Sequence, residues 1–142
     1  MTKEEKQIEI CKIARKLKIE NDILLQAFDV TKIATSEKGY ANCALATVGD
    51  AAIRLYLTKI LFSPRKTSEE ITAECNAREN NGKLAEFGKR FTDFVYGEKV
   101  QESDELKNDP ATLFEAIIGA IFLQLGYKKT IKIIQKKFNG LQ

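Results

Sequence analysis

The sequence predicts an all-α domain, and three observations carry that reading. Apolar residues recur at spacings of three and four, the period of a helix with one face in a core, and no alternating strand pattern competes with them. Only 2 prolines and 8 glycines punctuate the 142 residues. Capping signals open several of the periodic stretches.

Taken in order, Thr2 and Glu5 form a capping box that opens a helix reaching about Lys18, with Cys11, Ala14 and Leu17 along one stripe. A short helix follows Asn21 and Asp22 and carries Leu24, Leu25 and Phe28. Residues 29–39 mix Thr, Ser, Lys and Gly and read as a loop. The longest pattern runs from about Tyr40 to Phe62 and stops at Ser63-Pro64, because the residue before a proline is pushed out of helical geometry. Thr67 or Ser68 starts the next helix, which reaches Asn80, and Asn80-Asn81-Gly82 breaks it. Lys83 to Phe91 is helical again, and Tyr96 to Asp109 is a polar connection. Asp109 as N-cap and Pro110 at the first position begin a helix ended by Gly126, and Lys128 to Phe138 forms the last.

Composition sets the chemistry. Apolar residues make up 44% of the chain and charged residues 30%, the balance of an ordinary globular protein. The whole length, residues 1–142, reads as a single domain able to bury its own core. Histidine is absent, which excludes Ser-His-Asp and Cys-His catalysis and the usual His-containing zinc sites. Cys11, Cys43 and Cys75 are odd in number and never C-x-x-C, so a reducing, cytoplasmic setting is expected. The charged start does not read as a signal peptide, and no apolar run reads as a membrane span. A net charge of +3 permits an anionic partner without requiring one.

Two helices stand apart. The stretch Cys43 to Phe62 is apolar nearly all round, with only Asp50, Arg54 and Lys59 charged. Ala111 to Leu125 is more apolar still, and its single charge is Glu115. Each carboxylate, if buried, needs a partner, because an unpaired buried charge costs several kcal/mol. Two readings stand at this point. Asp50 and Arg54 lie one turn apart and can pair structurally. Alternatively, Asp50 and Glu115 converge on a hard cation such as Mg²⁺, which accepts one or two protein carboxylates and keeps several waters.

The segment Leu45-Ala46-Thr47-Val48-Gly49-Asp50-Ala51-Ala52 resembles the signature helix of ribonuclease III. The segment Ala111 to Phe122, with Phe114-Glu115-Ala116-Ile117-Ile118-Gly119, resembles that family's second conserved helix. Leu24-Leu25-Gln26-Ala27-Phe28 and the stretch Thr67 to Ala85 are similar to its other helices, so that the likeness covers residues 22–138. Members with a full site place four carboxylates in it. Here Ala46 and Thr112 stand where two of these are expected, and Cys43 where the signature helix has its first glutamate. The acidic residue usual in the connecting helix falls at Asn81, with Glu79 nearby. This pattern is closest to the mini-ribonuclease III branch, which keeps the equivalents of Asp50 and Glu115 alone and has no double-stranded-RNA-binding domain; none is expected here.

The resemblance implies a helical bundle that dimerises along the signature helix, with Thr47 at the seam where others carry a bulky residue. It further implies a metal-dependent endoribonuclease acting on double-stranded or structured RNA, with Asp50 and Glu115 both catalytic and metal-binding. The cofactor is then Mg²⁺, with Mn²⁺ as substitute, weakly held because two ligands are missing. The expected partners are RNA, a second copy of the chain, and a separate RNA-binding protein, with no membrane. Lys128, Lys132 and Lys136 recur every four residues on the last helix, Arg65 and Lys66 follow the signature helix, and Lys12, Arg15, Lys16 and Lys18 cluster on the first. Each group reads as an ordinary solvated face by itself, and as a phosphate-contacting surface given the resemblance. Two other functions remain open: a ribonuclease III fold without catalysis that binds RNA or the ribosome, and an all-α interaction domain in which Asp50 merely pairs with Arg54.

Overall fold

The computed structural model describes residues 1–33, 39–80, 82–99, 106 and 109–138. Among the described residues six α-helices form the bundle: α1 (Lys3–Leu17), α2 (Asn21–Phe28), α3 (Cys43–Leu61), α4 (Ser68–Glu79), α5 (Lys83–Gly88) and α6 (Pro110–Lys137). A 3-10 helix (Lys89–Phe94) continues α5, so the stretch expected to be helical to Phe91 tightens before it ends. Among the described residues there is no strand, only two isolated bridges, Asp29 to Tyr96 and Lys32 to Tyr40. The second bridge holds Tyr40 outside α3, which therefore starts at Cys43 rather than at Tyr40.

The termini follow the local chemistry. Thr2 Oγ1 accepts from the Glu5 amide at 3.1 Å, and Thr67 Oγ1 from the Glu70 amide at 3.2 Å, so both caps form as the sequence predicts. Asp109 Oδ1 accepts from the Ala111 amide at 3.0 Å with Pro110 in the first helical turn. Gly126 adopts φ 79°, which breaks α6 into two segments as expected, and Thr130 Oγ1 donates to the Gly126 carbonyl at 2.7 Å across the break. On α1 the buried side chains are Ile10 and Ala14; Cys11 and Leu17, expected in the stripe, are half-buried. Much of the polar connection before Asp109 lies outside the described residues.

α3 and α6 are the centre of the bundle and pack chiefly on each other. Phe28, Ile53, Leu57, Leu113, Phe114, Ile118 and Ile121 are essentially inaccessible. Phe87, Phe114 and Phe138 close one end with ring centroids 4.9 to 5.3 Å apart. Counted across its break, α6 is as long and apolar as a membrane span, which corrects the expectation that no run is long enough. Core helices reach the same length and hydropathy, and in this fold it is a core helix with a break at Gly126.

The two central helices touch backbone to backbone. A Cβ on Gly49 would lie 1.7 Å from the Glu115 carbonyl oxygen, and one on Gly119 would lie 2.0 Å from that of Leu45. The glycines of the two sequence motifs thus face each other's helix, and this contact sets the position of the candidate site.

Candidate active site

Asp50 follows Gly49 on α3, and Glu115 supplies the carbonyl that Gly49 packs against on α6. The crossing therefore brings the two carboxylates close enough to act on each other. Burial pushes the Glu115 carboxyl up to about 8, helped by the hydrogen bond and charge of Asp50 and by the charges of Glu79 and Asp109. Asp50 itself is exposed, contrary to the expectation of a buried carboxylate in mid-helix.

The alternative partner of Asp50 is occupied elsewhere. Arg54 Nη2 donates to Glu79 Oε2 at 2.5 Å and to Asn76 Oδ1 at 2.6 Å, both on α4. The structural Asp50–Arg54 pair read from the helix spacing is thus corrected: the neighbouring helix presents a better-buried carboxylate, its side chain 11% exposed. Burial raises the Glu79 carboxyl, Arg54 opposes that rise, and Asp50 adds to it. Glu79 Oε1 is buried and has no hydrogen-bond partner among the described residues.

Sequence reasoning placed Glu79 only near the position of the family's connecting-helix acidic residue, and read Asp109 only as a cap. The signal for Glu79 was its place beside the break at Asn80, which ends α4 close to α3. The substitutions that thin the site are equally visible. Ala46 is buried in the core, and Thr112 spends its hydroxyl on Asp109 Oδ2 at 3.1 Å. Both Asp109 oxygens are engaged, one in the cap and one by Thr112.

These residues fit a hard cation in kind: the donors are all carboxylate oxygens, and one of them is buried without a partner. In number they are few, because among the described residues no group of three or more acidic, cysteine or histidine side chains is placed to hold a metal outright. Asp50 and Glu115 are the two that meet.

The predicted basic residues divide. Arg65, Lys128, Lys132 and Lys136 are exposed, as are Lys12, Arg15, Lys16 and Lys18 on α1. Thr130, Ile134 and Phe138 are buried on the other side of the last segment. Lys66 is tied down, donating to Glu74 Oε2 at 2.7 Å and to the Leu61 carbonyl at 3.2 Å. Beyond the break at Gly126 the chain turns back along the first part of α6, so that Phe138 packs against Phe114.

No curated protein sequence matches this chain. Two solved structures of the nuclease domain of ribonuclease III from Campylobacter jejuni resemble it, each at 25% identity. One has a TM-score of 0.63 and covers 89% of this chain and 96% of its own; the other has a TM-score of 0.61 and covers 94% and 98%. The ribonuclease III domain matches residues 44–126, from the start of the glycine-bearing α3 to the break in α6. That span holds both crossing glycines and both meeting carboxylates, and the chain belongs to the ribonuclease III domain family.

Proposed function

We propose that the protein is a metal-dependent endoribonuclease for double-stranded or structured RNA, with a reduced two-carboxylate site of the mini-ribonuclease III kind. The meeting of Asp50 and Glu115 at the α3–α6 crossing carries this reading. Phosphodiester hydrolysis needs an activated water and relief of negative charge at the phosphate, and a bound Mg²⁺ supplies both. Asp50 and Glu115 would hold it, with Mn²⁺ as a substitute. Asp50, being exposed, is the member that incoming RNA reaches.

Two copies are needed to cut both strands. The outer side of α3 carries an exposed stripe of Ala44, Thr47, Ala51 and Leu55, and Phe62 follows it at 67% exposure. An apolar helix face of this kind is what a dimer buries. One of the Campylobacter structures is described by flexibility in the region involved in dimer formation. Thr47 turns its hydroxyl back to the Cys43 carbonyl at 3.0 Å, leaving its methyl group for a small, close contact. Arg65, Lys128, Lys132 and Lys136 supply phosphate contacts, as suits a ligand recognised by shape and backbone.

The test is incubation of the protein with a long RNA duplex at rising Mg²⁺. Cleavage of both strands with 5′-phosphate ends supports the reading; binding without cleavage leaves an RNA-binding module of the same fold.

A further inference from the structure

Glu79 has a feature that a purely structural partner of Arg54 does not need. A guanidinium usually meets a buried carboxylate with two parallel hydrogen bonds, which satisfies both oxygens. Here Arg54 reaches Glu79 through one nitrogen that it also gives to Asn76, and the second carboxylate oxygen stays buried and unpartnered. Leaving a buried acceptor unmade is costly, so Oε1 has a use for a donor. The other carboxylates around it are spent differently. Asp109 is committed to its cap and to Thr112, and Asp50 and Glu115 lie against each other.

Resting on the reading of Asp50 and Glu115 as the metal-holding pair, we propose that Glu79 is a positioning residue of the same site, fixed by Arg54 so that its free Oε1 accepts from a water of the bound cation. It would then take over, through water, part of what the missing carboxylates at Ala46 and Thr112 do elsewhere. The charges agree with this. Asp50, Glu79 and Glu115 ionised against one Arg54 leave two negative charges, the complement of one divalent cation. Mg²⁺ keeps several of its waters and is commonly held through them. Outer partners of this kind matter to affinity although they never touch the ion.

The experiment is a calorimetric titration of the whole protein with Mg²⁺, repeated with Mn²⁺, for the wild type, Glu79→Gln, and the double variant Arg54→Met with Glu79→Met. The double variant removes both charges together, a change that folds tolerate well. Both variants are expected to weaken binding by about ten-fold, the lower range for an outer partner. Wild-type affinity in the folded double variant would overturn the proposal, leaving Glu79 as structural support for Arg54 while the Asp50–Glu115 reading stands. A wild type that binds neither ion would overturn both.

Discussion

Gly49 and Glu115 are in backbone contact: a single Cβ on the glycine would fall 1.7 Å from the glutamate's carbonyl oxygen. The obstacle is backbone in the middle of a core helix, so it has no side chain to swing aside. Gly49→Ala is therefore expected to cost about 3 kcal/mol or more, at the upper end for overpacking, and Gly119→Ala about as much. Gly82→Ala meets no atom within 4 Å and pays only for its φ of 86°, about 1 kcal/mol. Urea unfolding of the three variants checks the order; equal losses would mean that α3 and α6 can move apart freely.

Asp50 and Arg54 respond in opposite directions. Asp50→Asn removes a charge that repels Glu79 and, above about pH 8, Glu115 as well, so at that pH the metal-free protein is expected to gain stability, by up to about 1 kcal/mol after solvent screening. Arg54→Ala strips the counter-charge from Glu79 and is expected to lose about 3 kcal/mol. Thermal unfolding without metal compares them, and a destabilised Asp50→Asn would show that Asp50 holds a structural partner.

Glu115 makes metal-free stability fall with rising pH. Its carboxyl is held near 8 in the fold against a usual value of 4.5, so the folded state keeps a proton that the unfolded state loses. The contribution is complete below about pH 4.5 and is lost as pH rises through about 8. A cation that replaces the proton is expected to oppose this loss and to bind more tightly as pH rises through the same interval. Unfolding curves across that range, with and without Mg²⁺, show both; a flat metal-free profile would contradict the close contact of Asp50 and Glu115.

Lys128, Lys132 and Lys136 are exposed, so changing them to Gln is expected to lower RNA affinity without altering stability. Each lost phosphate contact should also flatten the fall of log affinity with log salt by about 0.9. Lys66→Gln should act otherwise, reducing stability through its ties to Glu74 and Leu61. Duplex RNA binding at several salt concentrations separates the two cases.

Helix order, most caps and the break at Gly126 are legible because each rests on local chemistry: a hydroxyl two or three residues before an amide, a proline, a residue at positive φ. The contact of Asp50 with Glu115 is one of two open readings from the residues alone and is favoured only through the family likeness, since nothing local says that Gly49 and Gly119 face each other. Periodicity shows that α3 is apolar, yet it cannot say which side stays in solvent, and Asp50 proves to lie on an exposed one. Arg54 marks the limit most clearly. Spacing along one helix offers Asp50 as its partner, whereas α4 brings Glu79 and Asn76 across space. The start of α3 shifts for a similar reason, because Tyr40 pairs with Lys32 in a bridge rather than joining the helix.

The most direct measurement compares cleavage and binding of one RNA duplex by wild type, Asp50→Asn and Glu115→Gln in Mg²⁺. Wild-type cleavage, lost in both variants while duplex affinity stays near that of the wild type, is the predicted result. Cleavage that survives either substitution would contradict the assignment of the Asp50–Glu115 pair as the site of chemistry.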